Sequence, residues 1–249
     1  MNETKNIKVI VCGIAGRMGS AISHLMKSSR DFSLVGGVEK EEDLSKIILK
    51  GDVVIDFTEP AATLKNISIA VQNKKPLVIG TTGFTEEEKK KITEASKKIP
   101  VVFSSNMSVG VNVMWKIIAD AAKALGSGFD IEVLEMHHRL KKDAPSGTAL
   151  TTAEVLAKAA GRNLSKDAIY ARHGLIGKRK LGEIGIQTLR GGDVVGDHTV
   201  YFAGLGERLE ITHRATSRDT FAQGALRAAA WLVGKKPGLY TMQDVLDLK

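Results

Sequence analysis

The chain lacks several features that mark particular classes of protein. Cys12 is its only cysteine, which excludes an internal disulfide, and its place in an apolar run predicts a buried thiol. Aromatic residues make up 5% of the 249 residues, too few for the stacking surface that binds single-stranded nucleic acid. No apolar run approaches the roughly 20 residues of a membrane-spanning helix. We therefore expect neither a nucleic-acid partner nor insertion into a membrane.

The net charge and the amino-terminal residues also fit a protein that binds neither nucleic acid nor membrane. The formal net charge is +8, from 36 Lys and Arg against 28 Asp and Glu, and the basic residues are dispersed along the chain. Small anionic ligands account for this sign of charge without a nucleic acid. Residues 1–5 lead directly into the first predicted strand, so we expect no signal peptide and a cytoplasmic protein. No metal site is expected.

The first part of the chain alternates short apolar strands with helices. Strands are predicted at residues 6–12, 32–38, 52–57, 76–80 and 100–104, and helices at 20–27, 61–74 and 85–98. This alternation predicts a parallel sheet with helices on both faces. Ligands of such sheets bind beyond the carboxyl ends of the strands.

A glycine-rich turn joins the first strand to the first helix. Its spacing is G-x-x-G-x-x-G from Gly13 to Gly19, which differs from the usual G-x-G-x-x-G. Glycines let a backbone approach a pyrophosphate, and the helix start favours negative charge. The alternative is a purely structural turn. We predict a dinucleotide-binding loop formed by Gly13, Ile14, Ala15, Gly16, Arg17 and Met18.

Two charged residues end the second strand. Glu39 lies twenty residues past Gly19, where an acid can bind the ribose hydroxyls of NAD. Lys40 follows and could pair with the 2′-phosphate of NADP. The pair predicts a site that accepts NADH, NADPH or both. The alternative is a solvated start to the acidic stretch at residues 39–43.

The segment at residues 132–149 carries the strongest chemical pattern. An alternating strand at 130–136 runs into His137 and His138, and Lys141 follows. Since successive strand side chains point to opposite faces, we expect the strand to end at the histidines. Gly147 and Thr148 fall in the first turn of a helix predicted at 148–160, where N–H groups can bind a carboxylate.

Together these groups suit a small, doubly charged substrate that is protonated as it reacts. His138 and Lys141 would add positive charge near the carboxylate. The alternative is an ordinary strand-turn-helix corner with Ser146 as the helix N-cap and solvated basic side chains.

The last part of the chain differs in pattern. Residues 185–190, 197–202 and 207–213 alternate apolar and polar side chains, which is typical of half-exposed antiparallel strands. A mixed sheet with one open face favours oligomerisation. A helix at 217–233 is expected to pack back on the first sheet; the alternative is a helix that belongs to the second domain. The predicted fold is α/β: a Rossmann-like doubly wound parallel sheet formed by residues 1–108 and 218–249, plus an α+β domain at 109–217 with a mixed, largely antiparallel sheet used for oligomerisation.

The segment at 132–149 resembles the signature of the 4-hydroxy-tetrahydrodipicolinate reductase (dihydrodipicolinate reductase) family of the diaminopimelate and lysine pathway. The family pattern is Glu-[Ile/Val]-x-Glu-x-His-x-x-x-Lys-x-Asp-x-Pro-Ser-Gly-Thr-Ala, and the chain matches every fixed position from Glu132 to Ala149. Leu140 stands where many relatives have a third histidine, a position that the pattern leaves variable.

The resemblance implies NAD(P)H-dependent reduction of 4-hydroxy-tetrahydrodipicolinate by a homotetramer. It implies His137 as general acid/base and Lys141 as proton donor. It also implies a nicotinamide site bordered by Gly80, Thr81, Thr82, Ser104, Ser105, Asn106 and Met107. Ser104 and Met107 replace the alanine and phenylalanine of many relatives, which affects the packing expected around the nicotinamide.

Two other functions remain open on the sequence. Another dehydrogenase of similar build would keep the glycine turn and Glu39, but has no need of the whole segment at 132–149. A regulatory protein that senses NAD would need the cofactor loop and no acid/base pair. Consumption of NADH or NADPH with substrate distinguishes an enzyme from a sensor.

Overall fold

The computed structural model of the protein describes residues 6–248. Residues 1–5 and 249 lie outside the described residues, and with them the segment on which the expectation of no signal peptide rests. The chain divides into two compact units, which we call the first unit (residues 1–109 and 218–249) and the second unit (residues 110–217).

Eleven strands and eight helices are described between residues 6 and 248. In chain order they are β1 (Ile7–Cys12), α1 (Arg17–Lys27), β2 (Phe32–Val38), β3 (Val53–Asp56), α2 (Pro60–Gln72), β4 (Leu77–Ile79), α3 (Glu86–Ser96), β5 (Pro100–Phe103), α4 (Val109–Leu125), β6 (Asp130–His137), α5 (Gly147–Ala159), α6 (Leu164–Asp167), β7 (Ala168–Ile169), β8 (Ile184–Arg190), β9 (Gly196–Ala203), β10 (Arg208–Ala215), α7 (Asp219–Leu232), β11 (Gly238–Tyr240) and α8 (Met242–Val245). None of these helices has the length and apolar composition of a membrane-spanning segment.

The first unit is built on a six-stranded parallel sheet in the order β2-β1-β3-β4-β5-β11. The chain moves outward from β1 to β2 and then in the other direction from β3 to β5. The resulting switch point lies between β1 and β3, where ligands of such sheets bind. The predicted parallel sheet is confirmed.

Helices cover both faces of this sheet. Alternate residues of each strand point to opposite faces and belong to two separate hydrophobic cores. Val9 and Val11 of β1 pack with Leu226 and other residues of α7. Ile10 and Cys12, one residue out of phase, pack with residues of α2 and α3 on the opposite face. Cys12 is buried, as predicted, and burial raises the pKa of its thiol.

Some elements differ from the sequence prediction. Helix α1 begins at Arg17, three residues earlier than predicted, because Gly16 is already its extended N-cap. Arg17 and Met18 therefore belong to the first turn of the helix. Strand β11 and helix α8 were not predicted, because residues 238–245 contain no continuous apolar run of the kind that marks the equally short β4.

The second unit is built on a five-stranded mixed sheet in the order β10-β9-β6-β8-β7. Strands β10, β9 and β6 pair antiparallel, while β6, β8 and β7 pair parallel. One face packs on α4 and α5 around residues such as Trp115, Val133 and Phe202. This confirms the predicted mixed sheet.

The other face of this sheet carries no helix in the described structure; we call it the open face. Strand alternation places Met136 of β6 beside Leu189 of β8, and Leu134 beside Thr199 of β9. Leu189 is 47% exposed there. Arg172 and Arg179 pair with Glu132 on the same face, so the loop between β7 and β8 is held against the sheet by ion pairs.

Candidate active site

The two histidines at the end of β6 lie in different environments. Buried and partly buried residues alternate along the strand, and His137 is its last, buried residue. His138 leaves the strand, and its backbone N–H donates to the carbonyl oxygen of Val194 at 2.7 Å. The prediction that the strand ends at the histidines is confirmed.

Glu135 is the centre of a buried polar cluster. Its Oε2 lies 2.6 Å from His137 Nδ1, and Arg190 donates to both carboxylate oxygens, at 2.8 and 2.9 Å. The N–H of Ser146 and the hydroxyl of Thr188 donate to Oε1 at 3.0 and 3.2 Å. Burial by itself would raise the pKa of Glu135, but hydrogen bonds from His137, Arg190 and Ser146 outweigh it and lower the pKa to about 2. The carboxylate is therefore charged.

His198 of β9 lies on the other side of His137, with 5.1 Å between the ring centroids. Its Nε2 is 3.1 Å from Ser146 Oγ, which accepts the N–H of Ala149 at the start of α5. Ser146 thus links the His198 ring to the start of α5. Burial, and then the nearby charge of His137, lower the pKa of His198 to about 3, so this imidazole is neutral.

Lys141 belongs to the turn that follows the strand. Its backbone N–H donates to the carbonyl oxygen of His138 at 3.1 Å, and its Nζ lies 2.9 Å from Asp143 Oδ1. The side chain of Lys141 is 20% exposed, whereas Lys142 is exposed. Leu140, where many relatives have a histidine, is 79% exposed.

Helix α5 begins at Gly147, with Ser146 as its N-cap. A helix offers no internal acceptor to its first N–H groups, so this end suits an anion. A Cβ built at Gly147 would meet nothing within 4 Å, which shows that the space beside this residue is open. Gly147 and Thr148 are thus at the helix start, as predicted.

The glycine turn of the first unit allows close backbone contact. Gly13 has φ +78°, and a Cβ on it would lie 2.7 Å from the carbonyl oxygen of Phe57. A Cβ on Gly19 would lie 2.2 Å from the carbonyl oxygen of Gly13. Ile14 and Met18 pack on the core, while Ala15, Gly16 and Arg17 are exposed. Between Gly13 and Gly16 the turn therefore exposes backbone and the methyl group of Ala15, and the exposed Arg17 side chain follows at the start of α1.

Glu39 and Lys40 lie at the same site as this turn. The Glu39 carboxylate accepts the N–H of Ala15, and both Glu39 and Lys40 line a cavity of about 260 Å³ with Gly13. The cavity lies at the ends of β1 and β2 and beside α2. Further polar residues that the sequence analysis missed line it: Glu42, Glu59, Lys65 and Asn66.

These features fit a dinucleotide. Between Gly13 and Gly16 the turn exposes little side chain that would hinder a pyrophosphate, and Glu39 and Lys40 line the adjacent cavity, where they could bind a ribose and its phosphate. Among residues 6–248, no group of three or more His, Cys, Asp or Glu side chains is arranged to hold a metal ion.

Thr81 joins the predicted nicotinamide segment to a buried carboxylate. Asp56, at the end of β3, accepts hydrogen bonds from Thr58, Thr63 and Thr81 on one oxygen, and from Asn66 on the other at 2.9 Å. The network fixes the backbone after β4. Next to Thr81, Gly80 packs under the ring of Phe57, where a Cβ would lie 2.1 Å from that ring, and Thr82 is exposed.

The segment after β5 is held by its own hydrogen bonds. Ser104 Oγ donates to the carbonyl oxygen of Asn106 at 2.9 Å, and Asn106 Oδ1 accepts the N–H of Ser108 at 2.8 Å. Met107 is buried, whereas Ser105 is exposed. The assignment of residues 104–107 and 80–82 to the nicotinamide stays a prediction.

Sequence reasoning missed the functional neighbours of His137. Glu135 was detectable, because two residues apart on a strand means the same face. Arg190 and His198 were not, since only the pairing of β6 with β8 and β9 brings them to His137. Ser146 was considered only as a helix cap.

Comparison with known proteins identifies the family. The model described as "Dihydrodipicolinate reductase, N-terminus" matches residues 7–107, and the one described as "Dihydrodipicolinate reductase, C-terminus" matches residues 110–246. The chain belongs to the dihydrodipicolinate reductase family. This membership confirms the predicted resemblance, the enzyme class and the use of NADH or NADPH.

Relatives agree over the full length of this reductase. It is 49% identical to 4-hydroxy-tetrahydrodipicolinate reductase from Syntrophotalea carbinolica, covering 98% of this chain and 100% of the relative. The enzyme of the same name from Geobacter sulfurreducens is 50% identical, over 97% and 99%. A solved structure, dipicolinate-bound dihydrodipicolinate reductase from Paenisporosarcina sp. TG-14, is 25% identical with a TM-score of 0.77, over 96% and 99%. The predicted reaction, reduction in the diaminopimelate and lysine pathway, is thereby confirmed.

Proposed function

We propose that the reductase reduces 4-hydroxy-tetrahydrodipicolinate with His137 as general acid/base and Lys141 as proton donor. The net reaction converts 4-hydroxy-tetrahydrodipicolinate, NAD(P)H and one proton into tetrahydrodipicolinate, NAD(P)⁺ and water. One observation carries the proposal: the buried Glu135 carboxylate holds both the His137 ring and the N–H that precedes α5. An acid/base group and the anion-binding N–H groups at the start of α5 (the anion seat) thus belong to one cluster.

The start of α5 takes one carboxylate of the substrate in this proposal. The N–H groups of Gly147 and Thr148 donate to it, and His138 and Lys141 add positive charge. Groups of this kind stabilise developing charge by roughly a few kcal/mol. The Paenisporosarcina relative is described as bound to dipicolinate, a dicarboxylate, which supports this class of ligand.

The first unit holds the cofactor in the proposal, and the second unit binds substrate. The backbone of Gly13–Met18 binds the pyrophosphate, Glu39 the ribose hydroxyls, and Lys40 the 2′-phosphate when NADPH is used. Gly80–Thr82 and Ser104–Met107 border the nicotinamide. NADH or NADPH supplies the hydride, and the enzyme's own groups supply the proton.

Two substitutions test the catalytic roles. His137→Ala and Lys141→Ala should each lower kcat by about 100-fold or more, because general acid/base groups contribute about 10²–10⁴-fold. Affinity for NADH should stay nearly the same, since neither side chain belongs to the first unit. Absorbance of the reduced nicotinamide with enzymatically generated substrate measures turnover. Lys142→Ala, an exposed neighbour of Lys141, is the matched control and should behave as the wild type.

If both variants keep near-normal turnover, the assignment of His137 and Lys141 to catalysis is wrong.

We also propose a cytoplasmic homotetramer assembled through the open face. Leu189 and the residues beside it leave an apolar strip on a sheet face that no helix of the described structure covers. A second copy of the chain offers the same surface, which suits a symmetric interface.

A further inference from the structure

We propose that Glu135 is a positioning residue: it fixes His137 as the tautomer that exchanges its proton at Nε2, and it fixes the start of α5 at the same time. The inference rests on the proposed function and deepens it, because it assigns the reacting atom of His137 and a residue that acts through it.

Hydrogen-bond logic sets the tautomer. An ionised carboxylate only accepts hydrogen bonds, so His137 Nδ1, 2.6 Å from Glu135 Oε2, carries its hydrogen towards that oxygen. In the neutral imidazole the lone pair is then on Nε2. Proton exchange with the substrate therefore takes place at Nε2.

Arg190 keeps the carboxylate charged and in place. Its two terminal nitrogens each donate to a different oxygen of Glu135, and Nη2 also donates to the carbonyl oxygen of Asp143 at 2.6 Å. A forked pair of this kind fixes orientation as well as charge. Glu135 is fully buried, so water does not compete for these bonds.

Gly196 leaves room on the other side of the ring. A Cβ built on this first residue of β9 would lie 3.0 Å from His137 Nε2. Any other residue would therefore place a carbon against the nitrogen that must exchange the proton. The His137 side chain is 10% exposed, so a small part of it is accessible from the surface although most of it is buried.

The same carboxylate reaches the anion seat. Glu135 Oε1 accepts the N–H of Ser146, and Ser146 Oγ caps α5 by accepting the N–H of Ala149. A shift of Glu135 would move the imidazole and the helix start together. Its loss should therefore affect both proton transfer and substrate binding.

Several ionisable groups influence the pH response of this cluster. From the elements packed around His137 they are Glu135 of β6, Arg190 of β8, His198 of β9, His213 of β10, and Lys141 and Asp143 of the turn after β6. Of these, Glu135 is the charged group in direct contact with the ring.

Glu135→Gln tests the proposal, because it removes the charge and keeps the shape. We expect kcat/KM to fall at least about tenfold, with a higher KM for substrate and an unchanged KM for NADH. The amide of glutamine can donate as well as accept, so the hydrogen of the neutral His137 ring should no longer be held on Nδ1 alone, which nitrogen-15 shifts of the ring detect. A merely structural role of Glu135 would leave this hydrogen on Nδ1.

Glu132→Gln is the matched control. It makes the same change three residues earlier on β6, on the opposite face, where Glu132 pairs with Arg172 and Arg179. The nitrogen-15 shifts of its His137 ring should be those of the wild type, with kcat/KM within about twofold. A Glu135→Gln enzyme with wild-type kcat/KM and unchanged His137 ring shifts would overturn the proposal.

A measurement on the wild type keeps the proposal testable if Glu135→Gln does not fold, since the substitution leaves Arg190 without its buried carboxylate partner. Nitrogen-15 shifts of the neutral His137 ring, assigned with His137→Gln, should show hydrogen on Nδ1. Hydrogen on Nε2 would refute the tautomer assignment. An active His137→Ala enzyme, in contrast, would refute the proposed function itself.

Discussion

At the scale of single residues, the cluster around His137 contains two buried ionisable groups in opposite charge states: one is charged and the other is neutral. Glu135 stays charged because several donors surround it, and its pKa falls to about 2. His198 has the hydroxyl of Ser146 beside its Nε2, and burial lowers its pKa to about 3. The ring of His137 thus has the charged Glu135–Arg190 pair at its Nδ1 and the neutral ring of His198 in an edge contact with it.

The lowered pKa of His198 predicts a loss of stability in acid. The unfolded chain protonates this imidazole below about pH 6.5, whereas the folded protein resists protonation down to about pH 3. The stability that this difference contributes is complete above pH 6.5 and decreases as the pH falls. One pH unit below the unfolded value, the free energy of unfolding should be lower by about 1.4 kcal/mol from this group.

Urea unfolding at about pH 7.5 and about pH 5.5 measures this effect. The fluorescence of Trp115, in the core of the second unit, reports the transition in a Trp231→Phe background. His198→Gln should lose about 1.4 kcal/mol less than the wild type between the two pH values. His24→Gln, the same change at an exposed position, should keep the wild-type difference. If all three proteins lose the same free energy of unfolding between the two pH values, the assignment of this effect to His198 is wrong.

Residue-level prediction succeeded where the information is local. Alternation along residues 130–136 correctly ended the strand at the histidine pair, and Pro145-Ser146 correctly indicated a helix start. It failed for Arg190, which reaches Glu135 from 55 residues away through strand pairing. The register of neighbouring strands has no signal in a single stretch of sequence.

At the scale of elements, helix α7 and the segment after β5 approach each other at one glycine. A Cβ on Gly224 would lie 1.8 Å from the carbonyl oxygen of Met107, and backbone cannot move aside as a flexible side chain does. The residues proposed to border the nicotinamide are therefore supported by a helix more than a hundred residues further along the chain.

Gly224→Ala should destabilise the first unit although alanine is the better helix former. Helix propensity would gain about 1 kcal/mol. Overpacking against Met107 should outweigh that gain and leave a net loss of about 1–3 kcal/mol. Thermal unfolding measures the loss, and titration with NADH should show weaker binding because residues 104–107 shift.

Gly128→Ala is the control for this change. A Cβ there meets nothing within 4 Å, and Gly128 is not among the glycines with positive φ. Its stability should therefore differ from the wild type by about 0.5 kcal/mol or less. A Gly224→Ala protein as stable as this control, with normal NADH binding, would show that α7 does not position the segment.

Elements with a strong apolar pattern were predictable, and very short ones without such a pattern were not. The strands of the parallel sheet and the long helices were placed within a few residues, since their apolar periodicity is strong. Strand β7 has two residues and β11 has three, and tertiary pairing rather than local pattern makes them strands. The parallel pairing of β6 with β8 was equally invisible, although a mixed sheet was expected.

At the scale of the whole molecule, the open face is the surface left for assembly. Its ladder pairs Met136 with Leu189, so two apolar side chains lie together on a face without a covering helix in the described structure. The loop fastened by Arg172 and Arg179 extends the same side of the sheet and carries Leu175 and Leu181, both almost fully exposed. A chain that left this surface in water would expose an unusually apolar region.

Light scattering with size-exclusion chromatography tests the assembly. The wild type should have four times the 26.8 kDa chain mass. Leu189→Glu places a charge in the centre of the proposed interface, where burying an unpaired carboxylate is costly, so its mass should fall to that of a dimer or monomer. Leu49→Glu makes the same change at a 74% exposed leucine of the first unit and should leave the mass unchanged. Circular dichroism checks that the Leu189→Glu variant is folded. If the folded variant is still a tetramer, the interface lies elsewhere, because a symmetric contact through the open face would have to bury the new charge in every copy.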